Sequence, residues 1–239
     1  MWGSIFKGEE YMEGKTKIVD RFDDYVILNF KDDITAGDGE KHNVLSGKGE
    51  ICAEITAITM KYLNSRGIYT QFLDFERPNK IKAVSLEMFP LEVVVRLKKA
   101  GSFIRRYGGE EGEEFKEPLV EFFIKDDEKH DPMVCKNHLV LFGICSEKQV
   151  DEMIDAAKKT ASELKKFFGN LGFDLWDMKF EYGVDKDGKI CLGDEISPDT
   201  LRLRKTAEIF DKDVYRKDLG DPLEKYREVL EACRSLNLL

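Results

Sequence analysis

The 239-residue chain has no apolar run approaching the roughly 18 residues that a membrane-spanning helix needs. Its opening, MWGSIFKGEEYMEGK, lacks the long apolar stretch and small-residue cleavage site of a secretory signal, so a cytoplasmic protein is expected. Positive charge is not in excess. Against 47 Asp and Glu stand 38 Lys and Arg, a formal net charge of -9, which argues against a nucleic-acid footprint and any membrane role. Histidine is scarce (His42, His130 and His138), and the five cysteines form no CxxC pair, so neither a zinc site nor a complete disulfide set is expected. Glutamine occurs only at Gln71 and Gln149 beside abundant Lys and Glu, a bias seen in heat-adapted proteins.

What is present is an ordinary globular composition, 42% hydrophobic and 36% charged, with no repeat or long linker. Apolar periodicity predicts helices over 48–65, about 147–168 and 222–236. Ser146 should cap the second, and Gly67 and Gly169 should follow the first and second. Strands are expected at 15–19, 25–30, 68–73, 80–86, 91–97 and 119–125, then a hairpin over 179–194. Strands in runs, with helices between the runs, give an α+β fold with largely antiparallel sheet. A small N-terminal lobe to about residue 87 and a larger lobe over 88–239 fit that order.

The hairpin KFEYGVDKDGKICLGDEISPD raises a question of charge. With Asp187-Gly188 as a two-residue turn, Glu181 falls opposite Asp194; with a longer loop the two become diagonal neighbours. Either way two carboxylates share a half-dry face, where like charges repel, and one pKa should rise.

Four other stretches carry charge in suggestive places. Gly14-Lys15-Thr16 lacks the spacing and the following helix of a P-loop, but in a strand Lys15 and Lys17 point the same way, toward phosphate oxygens or simply toward solvent. Asp32–Gly39 reads as an acidic turn-rich connection. Arg96, embedded in an apolar strand, needs an anionic partner, and Gly101-Ser102 then opens a short helix with Ser102 as its cap. That is either a phosphate site or a structural salt bridge beside an ordinary cap. Finally, Pro198 ends a strand, and Arg202 is placed to swing back to the same cleft.

Taken in order, EGKTKIV, DDITAGDGE, MFPLEVVVRLKKAGS, HDPMV, DMKFEYG, GDEISPDTLR and DKDVYRKDLG resemble the SAICAR synthetases of purine biosynthesis over nearly the whole chain. The chain departs from that pattern in having Tyr182 where Phe is usual, and Thr200-Leu201 before Arg202 in place of Gly-Ser. The resemblance implies an ATP-grasp-like, two-lobed fold with ATP in the cleft. It implies magnesium as cofactor and a reaction of ATP, L-aspartate and carboxyaminoimidazole ribonucleotide (CAIR) to SAICAR, ADP and phosphate. By the same resemblance Gly14, Lys15, Lys17, Lys82 and Met88 bind ATP, and Glu181 and Asp194 hold the metal. Asp38, Arg96, Ser102, Asp131 and Arg202 bind substrate, and Asp177 and Lys179 stand at the reacting carboxylate. A homodimer is one option, since members are often dimers. Two rivals share these residues: a small-molecule kinase of similar lobes, and a nucleotide sensor without turnover.

Overall fold

The computed structural model describes residues 10–37 and 39–239. Three antiparallel strands come first: β1 (Glu10–Glu13), β2 (Lys17–Arg21) and β3 (Tyr25–Phe30). The second strand begins two residues later than expected. Gly14 N donates to Lys17 O, so residues 14–17 form a turn, and Lys15 and Lys17 do not share one strand face. A separate two-stranded hairpin follows, β4 (Asp33–Ala36) with β5 (Lys41–Val44).

Helix α1 (Lys48–Ser65) has the bounds its apolar period predicts and ends at Gly67, whose φ of 73° suits glycine. It buries Cys52, Ala53 and Ala57 as well as Ile51, Ile55 and Ile58, because it is sandwiched between sheet and helices. Gly49 allows its close approach to β3: a Cβ there would lie 2.5 Å from Phe30 O. Strands β6 (Phe72–Glu76) and β7 (Lys80–Val84) complete a five-stranded sheet in the order β1-β2-β3-β7-β6. The expected strand at 68–73 thus starts later; Thr70 instead makes a lone parallel bridge to Leu192.

The second half continues with β8 (Glu87–Met88), β9 (Leu91–Lys98), α2 (Ser102–Tyr107), β10 (Glu114–Ile124), β11 (Met133–Val134) and α3 (Lys136–Leu141). Helix α4 (Glu147–Asn170) starts from a reciprocal cap, Ser146 with Gln149, and runs through Gly169, where the sequence predicted its end. Then come β12 (Asp174–Val184), β13 (Ile190–Gly193), β14 (Leu201–Lys205), β15 (Glu208–Ile209), α5 (Asp213–Arg216) and α6 (Pro222–Arg234).

Strand β12 is the axis of this half. Its first part pairs antiparallel with β9 and β14, and its last part with β8 and β13. One hydrophobic cluster runs from β3 and α1 through β9, α4 and β12 to α6, so both sheets share a core. The fold is α+β, with antiparallel ladders throughout the named strand pairs.

Candidate active site

The hairpin adopts neither expected register. Val184 pairs with Ile190, Asp185 N donates to Lys189 O, and Gly188 turns at φ 76°. Glu181 therefore faces Gly193, and Asp194 falls just past the strand end. There Asp194 takes a left-handed φ of 57°, unusual for a residue with a Cβ, and the side-chain amide of Gln71 donates to its carbonyl at 2.9 Å.

The two carboxylates still meet, but through a lysine. Lys179 Nζ lies 2.9 Å from Glu181 Oε1 and 3.7 Å from Asp194 Oδ2. Lys125 reaches the other oxygen of Glu181 at 2.7 Å, and Lys17 the other oxygen of Asp194 at 2.9 Å. The expectation that repulsion would raise a carboxyl pKa is therefore corrected for Asp194. Burial alone would raise it, but Lys17 and Lys179 hold it well below the usual range. Burial likewise opposes the charge on Lys179, yet Glu181, Glu92 and Asp194 together hold its pKa well above the usual lysine value.

Glu195 was missed by sequence reasoning, since neighbours in a strand point to opposite faces. Because the strand stops at Gly193 and Asp194 turns left-handed, Asp194 and Glu195 both reach Lys17. Glu195 is buried and accepts a hydrogen bond from Ser197 at 2.8 Å. Lys125, Glu92 and Gln71 were missed for a simpler reason: their neighbours are remote in sequence.

Further along β12, Asp177 stands between two arginines. Arg96 Nη1 donates to it at 3.0 Å, and Arg202 Nη1 donates to the same oxygen. Arg96 also donates to Glu121 at 2.6 Å and to Ser102 Oγ at 2.9 Å; Arg202 is held by Asp213 at 3.1 Å. Ser102 is not the cap. It is the first helical residue, and Gly101 precedes it at φ 54°, where a Cβ would come within 2.7 Å of Arg202. Arg96, Ser102, Asp177 and Arg202 are thus one cluster, and Lys179, Glu181 and Asp194 another, joined by the alternate residues 177, 179 and 181 on one face of β12.

The remaining expected residues sit around these clusters. Lys15 pairs with Asp127 at 2.7 Å, both exposed, apart from Lys17. Lys82 lies over the Tyr25 ring at 4.1 Å. Met88 pairs with Gly183 and packs where a Cβ on Gly183 or Gly193 would come within about 3 Å of it. Asp131, at φ 46°, accepts from Asp126 N and so serves its own turn. Asp38 lies outside the described residues. No group of three or more His, Cys, Asp or Glu able to hold a metal occurs among the described residues. Glu181 and Asp194 are two hard oxygen donors, now compensated by ammonium groups.

The sequence profile of the SAICAR synthetase family matches residues 10–233. The phosphoribosylaminoimidazole-succinocarboxamide synthase of Thermotoga petrophila is 67% identical over 225 residues, which is 94% of this chain and 98% of that protein. Its counterpart from Pyrococcus furiosus is 45% identical over 223 residues, 92% and 95% of the two chains. A solved SAICAR synthetase (Type-2) in complex with ADP matches with a TM-score of 0.91 at 42% identity, covering 94% of this chain and 97% of its own.

Proposed function

The chain belongs to the SAICAR synthetase family of ATP-dependent ligases in purine biosynthesis, and from that premise we propose that it joins CAIR to L-aspartate through an acyl phosphate. A free carboxylate is a poor acyl donor because oxide is a poor leaving group. The CAIR carboxylate oxygen attacks the γ-phosphorus and ADP leaves. The aspartate amine then attacks the acyl carbon and loses a proton, and phosphate departs with the former carboxylate oxygen.

The observation that carries this reading is the pair of clusters on one face of β12. The first offers two guanidinium groups to an anion: Arg96 and Arg202 bracket Asp177, with the Ser102 hydroxyl beside them. We assign the CAIR phosphate to Arg96, Ser102 and Arg202, and place Asp177 and Lys179 near the CAIR ring and carboxylate. The second cluster suits a triphosphate. Lys17 is a part-buried cation between two carboxylates, and its strand follows the turn at Gly14. We extend the nucleotide site to Lys15 in the turn before β2 and to Lys82 and Met88 on β7 and β8, and assign Asp38 and Asp131 to the substrate rim.

Magnesium fits the donor set. One or two carboxylates are what this ion usually takes from protein, with phosphate oxygens and water filling its octahedron. Bound between Glu181 and Asp194 it would neutralise charge on the triphosphate and its transition state. The lysines meanwhile keep both acids ionised and in place, and Lys17 and Lys179 can turn their charge toward phosphate and carboxylate oxygens. In this assignment residues 1–87 serve the nucleotide and 88–239 the metal and substrates, with the five-stranded sheet ending at Val84. No helix among the described residues is long and apolar enough to cross a membrane.

A coupled ADP-release assay with ATP and magnesium, adding CAIR and aspartate separately and together, tests the proposal. Release should require both. ADP formed from CAIR alone, with a phosphorylated product accumulating, would favour a kinase.

A further inference from the structure

The ligase must also bind a dicarboxylate amine, and none of the clusters above is built for its carboxylates. Among the described residues, Lys212 is a cation without a counter-charge in contact. It is half-buried, and no carboxylate among the described residues lies within ion-pair distance of its ammonium. Its backbone is tied to the loop that follows the metal acids, Lys212 N donating to Pro198 O at 3.0 Å. The carboxylate whose field it feels most, Asp199, is already engaged. Lys48 Nζ stands 2.6 Å from Asp199 Oδ2, out of line for a hydrogen bond, and Tyr226 donates to Oδ1 at 2.6 Å.

Arg216 adds a second cation. It lies four residues on, one turn of α5, so its side chain shares a face with Lys212, and like charges at that spacing repel. A single contact, to Asp213 at 2.9 Å, occupies Arg216. Burial depresses the Lys212 pKa and Asp199 only partly restores it, as expected of an ammonium lacking its anion. Pro198, to which the Lys212 backbone is bonded, lies three residues past Glu195, and Glu195 touches Lys17, which touches Asp194. That loop ties Lys212 to the carboxylates assigned above to the metal.

We propose that Lys212, with Arg216 at its outer side, binds the carboxylates of the amine substrate, L-aspartate, and so orients its amine toward the acyl phosphate. This rests on the ligase reading. A charged contact of this kind is worth about 1.5–3 kcal/mol, or roughly tenfold to a hundredfold in affinity.

The test measures binding and turnover. Succinate, a dicarboxylate without the amine, is titrated calorimetrically into the wild type, Lys212→Met and Lys212→Arg, each with ADP and magnesium. Binding should be seen in the wild type, largely kept in Lys212→Arg and lost in Lys212→Met. In turnover, Lys212→Met should raise the aspartate KM about tenfold or more. The ATP and CAIR constants should hold, and Tm should be equal or higher, since an uncompensated charge is gone. Succinate binding absent from the wild type, or equal in wild type and Lys212→Met, overturns the subsite. So does a common rise of all three KM values with a fallen Tm, which marks a structural lysine. Absent aspartate-dependent ADP release in the wild type would instead strike the ligase reading itself.

Discussion

Asp194 has an ammonium group on either side, and this changes what its removal should do. In Asp194→Asn the cation Lys17 keeps Glu195 but loses one of two counter-charges, and Lys179 loses a third. The apo protein should therefore lose stability, by about 1–3 kcal/mol, rather than gain it from relieved repulsion. Turnover should fall by about two orders of magnitude or more, with a raised magnesium requirement, and Glu181→Gln should behave alike. Near-normal turnover at low magnesium in both would remove them from the metal site. Arg96 gives a second residue-scale test. Its fork spans Glu121, Asp177 and Ser102, a geometry that a lysine cannot reproduce. Arg96→Lys should raise the CAIR KM by about tenfold or more while ATP binding holds. Equal loss for both ligands would make Arg96 purely structural.

Strand β12 presents residues 177, 179 and 181 to one side, and its change of partners carries Glu181 away from β9 and β14 toward β8 and β13. Close packing makes this crossing depend on Gly183, where a Cβ would lie 2.7 Å from Glu87 O and 3.0 Å from Met88 Sδ. Gly183→Ala should therefore displace β8, cost about 1–3 kcal/mol and weaken nucleotide binding more than CAIR binding. Thermal unfolding and nucleotide titration would check it; unchanged values for both would show that β8 yields freely. The same elements show what a sequence can tell. The bounds of α1, the cap of α4 and the strand Tyr25–Phe30 follow from period and capping chemistry, which are local. The hairpin register was off by one, because a third loop residue is set by the left-handed Gly188 rather than by the Asp-Gly pair alone. The clusters of charge were legible only in part. Asp177, Lys179 and Glu181 stand at alternate positions of one strand, whereas Lys17, Lys125, Glu92 and Gln71 arrive from strands and loops far along the chain.

Among the described residues several buried carboxylates are carried in compensated sets, joined through one core, with Lys212 the exception argued above. Asp194, Asp199 and Asp213 all resist burial with lysine or arginine partners, and all three titrate well below the ordinary aspartate value of 3.8. A depressed carboxyl pKa stabilises the fold above its unfolded value and loses that contribution as pH falls toward the folded one. Apo Tm should thus respond little to these groups above pH about 5 and fall progressively below about 4. A Tm unchanged down to strongly acid pH would show that these pairs contribute nothing net. The same compensated charge, arranged around β12, is what we propose turns a carboxylate into an acyl phosphate. CAIR carrying a heavy oxygen isotope in its carboxylate, turned over with ATP, magnesium and aspartate, should transfer one labelled oxygen to phosphate for each ADP formed. Unlabelled phosphate, with the displaced labelled oxygen released into water instead, would contradict it.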